Sequence, residues 1–321
     1  MPQVWQRDEI GGIELITYKE DTIWPQCQQF LPQQNRLTED ILPSEYYINI
    51  DNANIHIDHY EVAKPKGRVV LFHGVGGNGR LLSFIAIPLW KAGFEIICPD
   101  MPLYGYTTYS NPIYYSTWIN YGKKIVKHFQ QDTTPLFLFG LSAGGMLAYQ
   151  IACESIDIKG IMVTCILDQR ELEINKKTSR TPIVATIGKP LMAATHKFFG
   201  KIKIPMRFIA NMNAIANNQK LVKILTKDLK SSGVSVPLSF VYTLMTPHIL
   251  IEPENFKNCP FLLVHPEYDH WTDVSLSKFF YDRLACPKVF TLLKEAGHFP
   301  IEPKGLGQME KACLDFLNTC L

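Results

Sequence analysis

Residues 136–145 read LFLFGLSAGG, an apolar run followed by a serine that stands between glycines. The four apolar residues predict a buried strand, and residues 143–155 have the composition of a helix. A sharp turn from strand to helix leaves no room for side chains at positions 140 and 144, and it thrusts Ser142 outward. The strand, the G-x-S-x-G turn and the helix together predict a nucleophilic Ser142. The alternative is a glycine-rich turn without a chemical role.

Short apolar strands alternate with helices on both sides of this stretch. Strands are predicted at 69–72, 94–98, 135–139, 160–167, 261–264 and 288–293, and helices at 81–92, 117–129, 143–155, 275–284 and 307–317. Two further β-like runs, 45–50 and 55–62, flank a predicted hairpin turn at 51–54. This alternation predicts the α/β class, with a mainly parallel central sheet flanked by helices.

The composition is that of a globular protein. Of the 321 residues, 46% are hydrophobic and 19% are charged, and the formal net charge is +2. These values exclude a disordered chain, a coiled coil and a fibre, and they argue against a general nucleic-acid binder. Residues 1–9 lack the apolar stretch of a secretory signal, and the eight cysteines form no CxxC pair. We therefore expect a cytoplasmic protein with reduced thiols and without a zinc site.

A nucleophilic serine needs a base, and the base needs a carboxylate to orient it. Among the nine histidines, His298 follows the last predicted strand on a loop and is the predicted general base. Asp269 follows the penultimate strand and is the predicted acid, with Asp168, after the strand that follows Ser142, as its rival. The other histidines that we considered are expected to have structural or surface roles; they are His56, His59, His128 and His196.

Three further segments resemble the α/β-hydrolase superfamily, in its capped branch of esterases, monoacylglycerol lipases and lysophospholipases. They are HGVGG at 73–77, PDMPLYGYT at 99–107 and HPEYD at 265–269, where Pro266 replaces the usual glycine. The resemblance implies the α/β-hydrolase fold and a Ser142–His298–Asp269 triad that works without a metal or an organic cofactor. It also implies that the backbone N–H groups of Val75 and Ala143 form the oxyanion hole, and that Asp100 is structural.

The alternation of strands and helices breaks between residues 169 and 255. We interpret 45–168 and 256–321 as the hydrolase core, 169–255 as an inserted, mostly helical cap without a strong strand, and 1–44 as an N-terminal extension packed on the core. Thirteen lysines and arginines but only three acidic residues lie between 169 and 250, a net charge of +10. Apolar clusters interleave with them at 183–187, 191–194, 198–199 and 241–245. This mixture predicts peripheral contact with an anionic membrane, the alternative being a lysine-rich solvated surface.

The predicted function is therefore hydrolysis of small-molecule carboxylic esters with lipid-like or amphiphilic acyl groups, through an acyl-enzyme. The same triad also serves thioesterases, C–C bond hydrolases and aminopeptidases, which this sequence does not separate. A non-catalytic ligand receptor on the hydrolase fold is the alternative outside enzymes. No nucleic-acid partner is expected, because no recognised binding motif accompanies the basic segment.

Overall fold

A mixed sheet lies at the centre of the structure, a computed structural model that describes residues 16–321 and the backbone of residues 4–5. The strands of this sheet are β1 (Val4–Trp5), β2 (Ser44–Ile50), β3 (Ala53–Tyr60), β4 (Arg68–Phe72), β5 (Glu95–Pro99), β6 (Thr108–Tyr109), β7 (Leu136–Gly140), β8 (Ile158–Val163), β11 (Phe261–Pro266) and β12 (Lys288–Leu293). A separate pair is formed by β9 (Lys203–Pro205) and β10 (Ser235–Pro237).

Some helices pack on the sheet, and others belong to the segment inserted after β8. They are α1 (Trp24–Gln28), α2 (Ser83–Lys91), α3 (Tyr115–Phe129), α4 (Ala143–Glu154), α5 (Leu172–Thr178), α6 (Lys189–Phe199), α7 (Gln219–Leu225), α8 (Leu238–Met245), α9 (Val274–Tyr281) and α10 (Pro303–Thr319). None of those within residues 16–321 has the length and apolar character of a membrane-spanning segment.

Six neighbouring strands run parallel, in the spatial order β5-β4-β7-β8-β11-β12, and β1, β2 and β3 extend the sheet antiparallel beyond β5. Every residue of β4 and β7 is buried, which explains the apolar runs 69–72 and 136–139, and the buried Arg68 at the start of β4 pairs with Glu95. The carboxyl ends of the parallel strands therefore meet at one edge, where ligand sites of such sheets lie. The predicted α/β-hydrolase fold is confirmed.

The hairpin of β2 and β3 turns at Asp51 and Asn52, whose φ angles are 49° and 65°. Both residues adopt the left-handed region that a two-residue hairpin turn requires, and asparagine and aspartate tolerate it well. The register pairs Ile50 with Ala53. The second strand thus begins two residues earlier than the sequence predicts, because the turn is shorter than the polar run 51–54.

Residues 169–255 are mostly helical, as predicted, but they also contain the antiparallel pair β9–β10, in which Val236 lies opposite Ile204. The expectation of no strong strand misses this pair, since three residues are too few to show an alternating pattern. The strand predicted at 160–167 is also shifted, and β8 ends at Val163.

The N-terminal segment packs on the sheet from residue 16 onward; the remainder of the predicted extension, apart from β1, lies outside the described residues. Its buried hydrophobic side chains include Tyr18, Trp24, Cys27, Leu31 and Leu37. The Tyr18 N–H donates to Glu45 Oε2 over 2.7 Å, and the Tyr18 hydroxyl donates to the Asp100 carboxylate. The segment therefore contacts the sheet through specific polar bonds as well as through apolar burial.

Candidate active site

Ser142 stands on the turn between β7 and α4, with φ of 56° and ψ of −125°. A residue other than glycine rarely adopts this conformation, and it persists only where the surroundings enforce it. The flanking glycines permit the turn: a Cβ on Gly140 would lie 2.2 Å from Gly144 O, and a Cβ on Gly144 would lie 2.2 Å from Phe72 O. The spacing of the G-x-S-x-G motif is thus required by backbone packing on both sides of the serine.

His298 lies on the loop after β12 and faces Ser142. Its Nε2 is 2.8 Å from Ser142 Oγ, and its Nδ1 is 2.8 Å from Asp269 Oδ2. The Trp271 ring packs against the imidazole, with ring centroids 4.7 Å apart. The histidine is therefore held between a hydroxyl and a carboxylate, in an orientation that can move a proton from Ser142 to Nε2.

Asp269 is buried at the end of β11, in a turn that supplies its hydrogen bonds. Its Oδ1 accepts from the N–H groups of Trp271 and Thr272 over 2.9 and 2.7 Å, and its Oδ2 accepts from the Thr272 hydroxyl over 2.7 Å. Burial alone would raise the pKa of Asp269, but the adjacent His298 and these hydrogen bonds outweigh it and hold the pKa well below its usual value. Asp269 is thus a stable anion beside the imidazole.

Asp168, the rival acid, is placed elsewhere. Its carboxylate is buried, and both oxygens accept from the Arg170 guanidinium, over 2.9 and 2.7 Å. Arg170 also pairs with Glu252. Among the described residues, the structure thus brings Asp269 rather than Asp168 into contact with His298.

Val75 and Ala143, the predicted oxyanion donors, lie beside Ser142. Ala143 is the first residue of α4, so its N–H has no partner within the helix. An added Cβ on Gly74 would lie 3.1 Å from Ala143 N, which shows how closely the loop that carries Val75 approaches the start of α4. Within residues 16–321, neither N–H donates to a protein acceptor.

Asp100 lies apart from Ser142, His298 and Asp269, and its carboxylate accepts hydrogen bonds from backbone groups. Its carboxylate is fully buried and accepts from the N–H groups of Gly79 and Tyr106 over 2.7 and 2.9 Å. A Cβ on Gly105 would overlap this carboxylate. These bonds fix two loops at the carboxyl edge of the sheet.

A narrow cavity of about 100 Å³ opens at Ser142 beneath residues 169–255. It is lined mainly by apolar side chains, which include Met146, Leu167, Met206, Ile209, Val241, Leu244 and Met245. Polar lining residues include Gln169, Asn175 and Thr178, and no carboxylate is among the described lining residues. The cavity therefore suits an uncharged, mostly apolar group.

Sequence reasoning missed two hydroxyl groups that hold the site. The Thr164 hydroxyl accepts from the Ser142 N–H over 3.0 Å, and Thr272 bonds to Asp269 as described above. Thr164 directly follows β8, and Thr272 lies three residues beyond Asp269. Their position after strand ends could have indicated a place in the site, but many other polar residues of the chain also follow strands.

One further cluster has the composition of a metal site, formed by Glu45, His56 and Asp58. The Arg80 guanidinium already pairs with Asp58 Oδ2 over 2.5 Å and with Glu45 Oε1 over 3.0 Å. Because the Arg80 guanidinium already bonds to both carboxylates, a metal ion would have to displace it; the cluster is a buried ion-pair network and fits a metal ion poorly.

The strand order, the turn at Ser142 and the hydrogen-bonded loops at the carboxyl edge define a hydrolase of the α/β-hydrolase fold. Residues 63–302 match the family model described as serine aminopeptidase, S33 (Hydrolase_4), and the chain belongs to this family. A comparison with the curated proteins found no match.

Solved structures share the fold at low sequence identity. A variant of monoglyceride lipase from Saccharomyces cerevisiae, in complex with a substrate analog, is 18% identical with a TM-score of 0.73, over 90% of this chain and 98% of that one. The monoacylglycerol lipase of Paleococcus ferrophilus is 19% identical with a TM-score of 0.63, over 83% and 99%. A carboxyl esterase from Bacillus coagulans, in complex with glycerol, is 16% identical with a TM-score of 0.65, over 86% and 98%.

Proposed function

We propose that this protein is a serine hydrolase that cleaves carboxylic esters of lipid-like acyl groups through an acyl-enzyme. The observation that carries the proposal is the series of 2.8 Å contacts from Ser142 Oγ to His298 Nε2 and from His298 Nδ1 to Asp269 Oδ2, at the mouth of an apolar cavity. In this proposal Ser142 is the nucleophile, His298 the general base and Asp269 the orienting carboxylate.

In the first half of the reaction, Ser142 Oγ bonds to the acyl carbon as its proton passes to His298 Nε2. The ionised Asp269 accepts the hydrogen bond from Nδ1–H and stabilises the imidazolium that forms. The low pKa of Asp269 supports this role, because a carboxylate that stays ionised keeps Nε2 free to accept a proton. His298 then protonates the leaving alcohol as the carbon–oxygen bond breaks.

The N–H groups of Val75 and Ala143 are proposed to donate to the oxyanion of the tetrahedral intermediate, and their position beside Ser142 supports this. Each such donor typically lowers the barrier by about 3–4 kcal/mol. In the second half, water attacks the acyl-enzyme while His298 takes its proton. The bond between the acyl carbon and Ser142 Oγ then breaks, His298 returns the proton to Oγ, and the carboxylic acid is released, so the cycle ends with the enzyme unchanged.

The acyl side of the substrate is proposed to occupy the apolar cavity at Ser142. Support comes from its lining by Met146, Leu244 and Met245, and from the structural likeness to a monoglyceride lipase, a monoacylglycerol lipase and a carboxyl esterase. Apolar lining favours an alkyl chain by roughly 0.8 kcal/mol for each methylene removed from water.

An aminopeptidase is the second candidate, and the description of the family favours it. An aminopeptidase must bind the ammonium group of its substrate, which calls for a carboxylate near the nucleophile. The described residues that line the cavity include none, and Asp168 is already paired with Arg170. Turnover of amino-acid p-nitroanilides at a rate equal to or above that of esters would favour the aminopeptidase.

Residues 169–255 are proposed to act as a cap over the core formed by 45–168 and 256–321. Two contacts attach this segment to the loops of the site: the Phe299 N–H donates to Ile215 O over 3.0 Å, and Trp271 Nε1 donates to Thr178 O over 2.8 Å. The segment also supplies most of the residues that line the cavity. Cap and cavity therefore form one substrate site in this proposal.

The outer face of the cap is proposed to contact an anionic membrane. Exposed apolar side chains occur at Ile183, Ile187 and Leu191, spaced four residues apart, and at Phe198, which is 84% exposed. The exposed Lys197 and Lys201 flank Phe198 in the sequence. Apolar side chains can enter the interface while lysines contribute about 1 kcal/mol each near anionic lipid. Val241–Met245, by contrast, lies inside and lines the cavity.

Vesicle co-sedimentation tests the membrane contact. We expect binding to vesicles of phosphatidylcholine with phosphatidylglycerol and little binding to phosphatidylcholine alone. Reversing Lys197 and Lys201 to glutamate should weaken binding by at least about tenfold, whereas Lys64→Glu, an exposed lysine of the core, should not. Equal binding to both kinds of vesicle would contradict the proposal.

A series of p-nitrophenyl esters from acetate to palmitate, assayed with wild type and Ser142→Ala, tests the function itself. We expect turnover that depends on Ser142 and rises toward medium or long chains. Activity confined to acetate and butyrate would make the protein a small-ester esterase. The absence of turnover that depends on Ser142 would overturn the proposal.

A further inference from the structure

The loop that carries Val75 is held at both of its ends by the strand beside it. At the first end, His73 Nε2 accepts from the Met101 N–H over 2.9 Å. At the other, the Gly79 N–H donates to Asp100 Oδ1 over 2.7 Å. These two bonds tie the loop to the residues that follow β5, and within the loop the Gly77 N–H donates to Gly74 O over 3.1 Å. None of these bonds engages the carbonyl of Gly76.

The middle of the loop is held by Ser232, which comes from the inserted segment. The Ser232 hydroxyl donates to Gly76 O over 2.8 Å, and its side chain is buried. Gly76 has φ of 84°, a conformation that only glycine adopts at low cost, and the Ser232 hydroxyl is the hydrogen-bond partner of its carbonyl among the described residues. Ser232 therefore fixes the residue directly after the proposed oxyanion donor.

Ser232 itself stands on a turn that is firmly attached. The Gly105 N–H donates to Lys230 O over 2.9 Å, and the Gly233 N–H donates to Asp228 O over 2.9 Å. A Cβ on Gly233 would lie 2.7 Å from Thr226 O, so the turn has little room to rearrange. The hydroxyl of Ser232 is thus held in place by backbone contacts to the core and within the turn.

We propose that Ser232 is a positioning residue for catalysis, which orients the Val75 N–H toward the oxyanion by fixing Gly76. This inference rests on the ester hydrolysis proposed above. It implies that the inserted segment does more than bind substrate, because it completes the support of the oxyanion loop. A backbone donor that moves by a fraction of an ångström loses much of its effect on the transition state.

The neighbouring Ser231 provides a matched control. It is also buried, and its hydroxyl donates to Asp228 Oδ2 over 2.7 Å without contact to the oxyanion loop. Ser232→Ala and Ser231→Ala therefore each remove one buried hydrogen bond from the same turn. Both variants should lower the thermal stability to a similar extent. Only Ser232→Ala should weaken stabilisation of the transition state.

The test compares an oxygen ester with the matching thionoester, in which sulfur replaces the carbonyl oxygen. Because sulfur accepts hydrogen bonds weakly, the preference for the oxygen ester reports the strength of the oxyanion donors. For Ser232→Ala we expect kcat on the oxygen ester to fall about tenfold with KM within about twofold. The ratio of kcat on the oxygen ester to kcat on the thionoester should fall by a similar factor. In Ser231→Ala this ratio should equal that of the wild type.

An unchanged preference in a folded Ser232→Ala variant would overturn the inference, as would an equal loss in Ser231→Ala. Failure of the proposed function would look different, because the wild type itself would not turn over the oxygen ester. If Ser232→Ala does not fold, Ser232→Cys keeps a weak donor at the same position and should show an intermediate preference. A wild-type preference in that variant would also count against the inference.

Discussion

His56 is buried among carboxylates, and we expect its protonated form to contribute to stability over a definite pH range. Its Nε2 lies 3.1 Å from Glu45 Oε2 and its Nδ1 lies 3.1 Å from Asp100 Oδ2. Burial alone would lower the pKa of His56, but the charges of Asp100, Glu45 and Asp58 outweigh it and raise the pKa to about 10. The nearby Arg80 guanidinium is paired with Asp58 and Glu45.

In the unfolded chain this histidine has a pKa of about 6.5. Between the two values only the folded state binds the proton, so the free energy of unfolding falls as pH rises, by about 1.4 kcal/mol for each pH unit. From about pH 7 to pH 8.5 the loss is about 2 kcal/mol. Burial lowers the pKa of His73, His128 and His265, so these three affect stability at lower pH.

Urea unfolding followed by tryptophan fluorescence measures this loss. Between about pH 7 and pH 8.5, wild type and His128→Gln should each lose about 2 kcal/mol more unfolding free energy than His56→Gln loses. Burial raises the pKa of the cysteine thiols, so they add a further loss over this range, but all three proteins share that loss and it cancels in the comparison. An unfolding free energy that is equal at both pH values in the wild type would refute the reasoning, whether or not His56→Gln folds.

Gly144→Ala places a Cβ 2.2 Å from Phe72 O, so we expect a loss of at least about 3 kcal/mol of stability or about 100-fold in kcat, measured by thermal unfolding and ester turnover. Gly307→Ala, whose Cβ meets nothing within 4 Å inside α10, should instead stabilise by up to about 1 kcal/mol, and equal behaviour of the two variants would contradict the account of the turn. Thr272→Val removes the hydroxyl that donates to Asp269 and should lower kcat about fivefold at constant KM, with wild-type kinetics as the contrary result. Asp269→Asn should lower kcat by about 10⁴-fold with an unchanged circular dichroism spectrum, and near-normal turnover would exclude Asp269 as the orienting acid.

The sequence predicts most of the fold and the members of the candidate site that follow strand ends. Ser142 is recognisable because strand, glycines and helix are adjacent in the chain, and the constraint that selects those glycines is local. His298 and Asp269 were chosen because they follow the last two strands, and parallel strands bring their carboxyl ends together. The structure places Ser142 and Asp269 each within hydrogen-bond distance of His298.

The supporting contacts were not predictable, because they join residues that are distant in sequence. Ser232 bonds to Gly76 across 156 positions, and Tyr18 bonds to Asp100 across 82. No sequence feature of a serine in a polar turn, or of a tyrosine in an N-terminal segment, indicates which residue it hydrogen-bonds to. The choice between Asp269 and Asp168 likewise depended on Arg170, whose pairing with Asp168 becomes visible only in three dimensions.

The central claim, that Ser142 carries the acyl group, is tested most directly by trapping the intermediate. Wild type is mixed with a p-nitrophenyl ester, quenched in acid within the first turnovers, digested, and mapped by mass spectrometry. The account predicts one acyl adduct, on the peptide that contains Ser142, which disappears in Ser142→Ala together with turnover. An adduct on another residue, such as the nearby Cys165, or turnover that persists in Ser142→Ala, would contradict it.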